Sequence, residues 1–307
     1  MEDKELREGG PPTTYDNTMR GTYRSCPRKM YWFLRGLDYE QTPSYFTFGK
    51  VWQIVLDAWY SPQTDSTMGT DAIYAHGMRA LEVGRKAWDD EGCVGSRNDT
   101  WENLELLFKH YIGQYPTEPF RVVGTEKGWE WPLAGTPYFL GGSLDGYIEW
   151  EGYGLLVMEN KTSGVYLTDQ YIRQWNFANQ ITQYIWFLTR FLGKEIFGCL
   201  MNMATKRIPK KKAPDSLFAR DLQKRSSWEL EQFEEDILLD IKDIEREWER
   251  WIWPKSGNPI ECVGGIGKAP CLFQSLCSVD AKPWEIDPMN YQGLIWRKEK
   301  WEPWKRG

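Results

Sequence analysis

The chain has 307 residues, 41% of them hydrophobic and 27% charged, an ordinary balance for a globular protein and enough for one large domain or two small ones. No stretch reaches the roughly 18 consecutive apolar residues that a membrane helix needs, and residues 1–12 lack the apolar centre of a signal peptide, so no membrane partner is expected and the protein reads as cytoplasmic. A net charge of −6 excludes a molecule coated in basic surface, but it leaves room for a local basic groove.

Residues 1–25 read as a loose polar leader. Ser25-Cys26-Pro27-Arg28-Lys29 then opens a short amphipathic helix over Met30–Gly36. A second helix spans Tyr45–Tyr60, where Phe48, Val51, Trp52, Val55 and Trp59 recur at helical spacing. Two more, Asp71–Asp89 and Thr100–Gln114, complete a helical portion over 26–118. The pattern then changes to strands at Phe120–Pro132, Tyr138–Trp150 and Tyr153–Lys161, the last following the turn Glu151-Gly152. Helical periodicity from Asp169 to Phe191 and a strand over Ile196–Thr205 complete a core over 119–225. A charged helix from Ser227 to Trp251, capped by Ser226 or Ser227, opens the segment 226–307, which ends in an irregular tail. This order predicts an α/β fold: a mixed central sheet flanked by helices, with an N-terminal helical portion and a C-terminal Cys-rich segment.

Chemistry concentrates in two neighbouring strands. One delivers Asp145 from Gly142-Ser143-Leu144-Asp145, and the next delivers Glu159 and Lys161 from Leu155-Leu156-Val157-Met158-Glu159-Asn160-Lys161. Residues i and i+2 of a strand share a face, so Glu159 and Lys161 project together and an adjacent strand can bring Asp145 beside them. Two carboxylates at one point repel unless a cation separates them, and hard oxygen ligands suit Mg²⁺ or Mn²⁺. A surface salt bridge is the plain alternative for an E-x-K triplet.

Six cysteines occur, and three of them, Cys262, Cys271 and Cys277, fall within sixteen residues of a Gly/Pro-rich stretch, which suits ligands better than core filler. Lys206, Arg207, Lys210, Lys211 and Lys212 form a basic run after a predicted strand, either a solvated loop or a DNA-binding edge. Eighteen tryptophans, among them Trp248, Trp251 and Trp253, serve packing or base stacking.

Taken together these motifs resemble the PD-(D/E)XK nuclease superfamily in its RecB-like branch. That family reads G-x-x-D, a strand with E-x-K, then a helix with Q-x-x-x-Y. Here these are Gly142 to Asp145, Glu159-Asn160-Lys161 and Gln180-Ile181-Thr182-Gln183-Tyr184, and the likeness runs from Cys26 to Cys277. The resemblance implies a restriction-endonuclease-like fold in which Asp145 and Glu159 bind Mg²⁺ or Mn²⁺. It also implies the Asn160 carbonyl as a further ligand, Lys161 as the catalytic lysine, and Gln180 and Tyr184 lining the DNA side, unless that helix face simply packs on the sheet. Glu126 stands where the family often has a glutamate, or is an exposed strand carboxylate. The family's metal-ligating histidine is replaced by Gln53 in Phe48-Gly49-Lys50-Val51-Trp52-Gln53, whose amide oxygen is a weaker, neutral ligand. His76 and His110 read as packing or surface residues.

In the iron–sulfur members of this branch an N-terminal cysteine joins three near the C-terminus, which implies a 4Fe–4S cluster on Cys26, Cys262, Cys271 and Cys277, with Zn²⁺ as the competing occupant. The spacing C-x8-C-x5-C is looser than the family's C-x2-C, and Cys93 and Cys199 stay unliganded. The activity implied is a Mg²⁺/Mn²⁺-dependent deoxyribonuclease, an exonuclease acting on single strands or on the ends of double-stranded DNA. Recombination, repair, phage DNA metabolism and CRISPR adaptation are the settings implied, with a helicase, recombinase or CRISPR-adaptation protein as partner. No G-x-x-x-x-G-K-[ST] loop is present, so an ATP-driven motor is not expected here. The alternatives are a non-catalytic module of the same fold that holds DNA ends or a partner, and a nuclease directed at RNA.

Overall fold

The computed structural model describes residues 3–61, 69–209, 217–265 and 269–305. In chain order the elements are α1 (Asp3–Glu8), β1 (Thr14–Tyr15), α2 (Asn17–Ser25), α3 (Pro27–Leu34), β2 (Leu37–Tyr39), α4 (Ser44–Trp59), α5 (Thr70–Asp90), α6 (Trp101–Gln114), β3 (Phe120–Pro132), β4 (Phe139–Trp150), β5 (Gly154–Ser163), α7 (Asp169–Arg173), α8 (Asn179–Leu192), β6 (Gly198–Thr205), β7 (Phe218–Gln223), α9 (Ser227–Arg250), α10 (Pro259–Val263), α11 (Gln274–Cys277) and β8 (Leu294–Trp296). Two compact units result: of the described residues, one takes 3–41, 130–142 and 231–305, and the other takes 42–129 and 143–230.

The larger unit is a mixed sheet flanked by helices, as expected, with strands in the order β3-β4-β5-β6-β7. β4 and β5 pair antiparallel, β5 and β6 parallel, and β6 and β7 antiparallel. A parallel pair needs a crossover, and α7 with α8 provides it. Every residue of β6 is buried, as befits an apolar strand with neighbours on both edges. On α4, Phe48, Val51, Trp52, Val55, Leu56 and Trp59 are buried in one core with Ile148, Leu156, Met158 and Leu200 of the sheet. Burying each such side chain stabilises by about 1.5–3 kcal/mol. Side chains alternate along β5, so Leu156, Met158 and Asn160 share the α4 face while Val157, Glu159 and Lys161 take the opposite one, where α8 packs.

The smaller unit packs α2 and α3 with the 231–250 part of α9 and the C-terminal tail. Tyr31, Trp248, Trp251 and Trp253 form a buried nest of tilted and edge-on rings. β2 and β8 pair antiparallel, with Leu37 opposite Trp296. Residues 3–25 are not a loose leader: Tyr15 and Met19 are buried, and the buried Arg20 is held by Asp240 at 2.7 Å. Arg24 takes the other oxygen of Asp240 at 2.8 Å.

Two further expectations are corrected. The helix read over Asp169–Phe191 starts as expected, with Thr168 capping α7 (3.2 Å from the Tyr171 N–H), but breaks into α7, a 3-10 turn at Gln174–Phe177 and α8, because Ala178 is extended. β7 was not foreseen. No helix among the described residues is long and apolar enough to cross a membrane.

Candidate active site and cysteine cluster

The hairpin of β4 and β5 brings the motif residues together. Gly146 lies opposite Met158, which sets Asp145 beside the start of the E-x-K triplet. The main-chain N–H of Asn160 donates to Asp145 Oδ2 at 2.7 Å. Glu159 is only 1% exposed. Its Oε1 accepts from Gln180 Nε2 at 3.1 Å and pairs with Lys161 Nζ, while its Oε2 is buried without a hydrogen-bond partner. Gln180 also donates to the Tyr184 hydroxyl at 2.7 Å, so the pair one turn apart on α8 braces Glu159.

The electrostatics follow from this crowding. Burial, and then the charge of Glu159, drives the Asp145 carboxyl well above the usual carboxylate range, against the pull of Lys161 and the Asn160 N–H. Burial works against the Lys161 ammonium, but Glu159 and Asp145 outweigh it and raise its pKa. Burial, with Glu159 and Asp145 adding, also holds the Tyr184 phenol neutral. Lys161 Nζ sits 5.7 Å from the centre of the Trp175 ring.

Gln53 enters from α4. Its Oε1 accepts from Asn160 Nδ2 at 3.0 Å, and its Nε2 donates to Asp57 Oδ1 at 2.8 Å and more weakly to the Asp145 carbonyl at 3.5 Å. The amide oxygen expected to serve as a ligand is therefore engaged, and an N–H faces the acidic residues. Asp57, one turn along α4, was not singled out from the sequence. Burial and then Glu126 push its carboxyl up to about 8. Glu126 itself accepts from Ser143 Oγ at 3.3 Å.

A bound divalent cation fits the orphaned Glu159 oxygen and its neighbour Asp145. Among the described residues, however, no three His, Cys, Asp or Glu side chains are arranged to hold a metal ion by themselves. Mg²⁺ retains several waters and often takes only one or two carboxylates, so a two-carboxylate arrangement is compatible with it.

The same finding applies to the cysteines. Cys26, Cys262, Cys271 and Cys277 gather in the smaller unit. Burial raises the Cys271 thiol, with Cys26 and Cys262 adding, and pushes Cys277 up to about 11, with Cys26 and Cys271 adding. The Cys271 N–H donates to the Cys262 carbonyl at 2.9 Å and the Ser256 N–H to Cys26 Sγ at 3.2 Å. The four thiols are neighbours but are not drawn to ligand spacing. All six cysteines are free thiols, with Cys199 buried and Cys93 half-buried.

The basic run divides. Lys206 is buried, paired with Asp99 and set 5.1 Å from the Phe48 ring centre, so its ammonium is consumed inside the unit. Arg207 is exposed, with Nε donating to the Gly164 carbonyl at 2.7 Å. Lys210, Lys211 and Lys212 lie outside the described residues. His76 is a packing residue, bonded to the Trp59 carbonyl at 2.9 Å.

No protein-family model matches the chain. No curated protein matches it. Among solved structures it is similar to a candidate exonuclease from Eubacterium rectale, at 12% identity and TM-score 0.49, over 94% of this chain and 97% of that one. It is also similar to the protein SSO0001, at 14% identity and TM-score 0.29, over 77% of this chain and 82% of that one. At such identities a functional reading has to come from the site's own residues.

Proposed function

We propose that this protein is a Mg²⁺- or Mn²⁺-dependent deoxyribonuclease that acts on DNA ends. Glu159 carries the reading. A buried carboxylate oxygen without a hydrogen-bond partner costs about 1–3 kcal/mol even when its twin is paired with Lys161 and Gln180, and a divalent cation shared with Asp145 would remove that cost. When bound, such an ion offsets charge on a scissile phosphate and acidifies a water.

The chain's own residues supply the rest. Asp145 and Glu159 hold the ion, and the Asn160 N–H orients Asp145. Gln180 and Tyr184 keep Glu159 Oε1 in place, so that its other oxygen is the one presented. Lys161, charged and 25% exposed at its side chain, is the donor placed to meet charge developing on a phosphate oxygen. The choice of DNA and of ends comes from the motif resemblance. So do partnership with a helicase, recombinase or CRISPR-adaptation protein and the 4Fe–4S cluster on Cys26, Cys262, Cys271 and Cys277. That cluster, or Zn²⁺ in its place, would close a long loop of chain, a structural role that takes no part in hydrolysis.

The test is incubation with end-labelled linear DNA, closed circular DNA and a matched RNA, in Mg²⁺, in Mn²⁺ and with chelator. Metal-dependent loss of linear DNA, with circle and RNA spared, is the expected result. Failure to cut any of them in either metal contradicts catalysis and favours the binding module.

A further inference from the structure

Behind Gln53 the buried polar groups of the larger unit form one directed chain across the sheet. Arg220 on β7, Asn202 on β6 and Asn160 on β5 are register neighbours in adjacent strands. A guanidinium can only donate and a carboxylate can only accept. Arg220 makes two 2.6 Å bonds to Glu118, and its Nε donates to Asn202 Oδ1 at 3.2 Å. The amide nitrogen of Asn202 must then face the other way, where it donates to Asn160 Oδ1 at 2.8 Å and to the Tyr111 hydroxyl at 2.7 Å. Asn160 in turn offers Nδ2 to Gln53 Oε1, which leaves Gln53 Nε2 for Asp57 and the Asp145 carbonyl.

Both ends agree. The Asp145 main-chain carbonyl can only accept at one end, Arg220 can only donate at the other, and three amides in between have a single consistent orientation. The phenols close the circuit: Tyr111 receives from Asn202 and Arg220, lies 2.5 Å from the Tyr60 hydroxyl, and Tyr60 donates to Glu118 at 2.8 Å. Asn202 is 2% exposed and Asn160 8%, so a reversed amide would leave buried groups facing their like.

We propose that Arg220 is a positioning residue for the candidate active site, acting through Asn202 and Asn160 to fix the Gln53 amide so that an N–H faces Asp57 and the Asp145 main chain. Gln53 is then a donor that ties α4 to β4 and holds the Asp57 carboxyl beside Asp145. Its functional consequence rests on the cation reading of Asp145 and Glu159, whereas the direction of the amides stands on the buried contacts.

Two variants separate these. Asn202→Asp keeps its size and its contact with Arg220 but cannot donate to Asn160. Gln53→Met removes both ends of the Gln53 amide at similar volume. In NMR of the metal-free protein, the side-chain amide signal lost in Gln53→Met belongs to Gln53, and in Asn202→Asp that signal is expected to shift. An unchanged signal overturns the relay. In Mn²⁺ titrations followed by electron paramagnetic resonance, Asn202→Asp is expected to weaken binding about tenfold, the size of one lost hydrogen bond to a charged group, and to have less than about a twofold effect in the Gln53→Met background. Equal weakening in both backgrounds contradicts action through Gln53. Absence of Mn²⁺ binding by wild type, or binding unaltered by Glu159→Ala, overturns the cation reading instead, and the NMR result still decides the relay.

Discussion

The main-chain N–H of Asn160 donates to Asp145 Oδ2 at 2.7 Å, so the middle residue of the E-x-K triplet holds the carboxylate of the neighbouring strand. Its side chain meanwhile holds Gln53 on the opposite face of the sheet. One residue thereby couples the acidic pair to α4 and to the buried amides behind it.

Asp145→Asn keeps the side chain's size and removes its charge. In the proposed site it should weaken Mn²⁺ binding by about tenfold or more, because a hard cation loses one of two anionic ligands. The measurement is an Mn²⁺ titration beside a thermal melt. Unchanged affinity in a folded variant would mean that Asp145 is not a ligand.

Lys161→Ala should separate binding from rate. Lys161 pairs with Glu159 Oε1 while Oε2 stays unpartnered. Mn²⁺ should therefore still bind, while DNA cleavage falls about 100-fold or more, the usual cost of removing one preorganised donor to developing charge. Equal loss of both would make Lys161 a counter-ion that merely keeps Glu159 in place.

Much of the architecture is legible in the sequence wherever apolar periodicity is strong. β3 runs over Phe120–Pro132 as read, and α4, α5 and α6 fall within about a residue of their expected bounds. What escaped depends on partners distant in sequence. α2 looks polar because Arg20 is buried only by virtue of Asp240. β7, Phe-Ala-Arg-Asp-Leu-Gln, lacks a strand's apolar alternation because Arg220 is satisfied inside by Glu118. The site divides the same way. Glu159 and Lys161, with Asp145 beside them, were visible because strand alternation puts them on one face, whereas Gln180 and Tyr184 were singled out only by the motif resemblance. Asp57, Asn202 and Arg220 were not, because strand register and the approach of α4 give them their roles. Lys206 misled in the opposite sense: a lysine in a basic run is buried by Asp99, a partner 107 positions away.

Cys271→Ser tests the cysteine assignment. Anaerobically purified wild type should be brown and contain iron, and the variant should lose both the colour and the iron. Cys93→Ser should keep them, because Cys93 belongs to the larger unit and the four to the smaller. Colourless protein carrying zinc would assign the site to Zn²⁺ instead.

Gly84→Ala probes the seat of α4. A Cβ at residue 84 of α5 would collide with Val55 Cγ2, far inside contact distance. Overpacking of this kind costs about 1–3 kcal/mol, partly offset by the roughly 1 kcal/mol that alanine contributes over glycine in a helix. A lower melting temperature is expected, and a raised one would show that Val55 swings aside freely.

The most direct test of the account is Glu159→Gln, which keeps the hydrogen bond to Gln180 within reach but removes the buried charge. Cleavage of end-labelled linear DNA should be compared with wild type across a Mg²⁺ titration. The account predicts that wild type cuts in proportion to bound Mg²⁺ while Glu159→Gln stays folded and inactive at every concentration. Cleavage by the variant at the wild-type rate would contradict a metal-dependent site at Asp145 and Glu159.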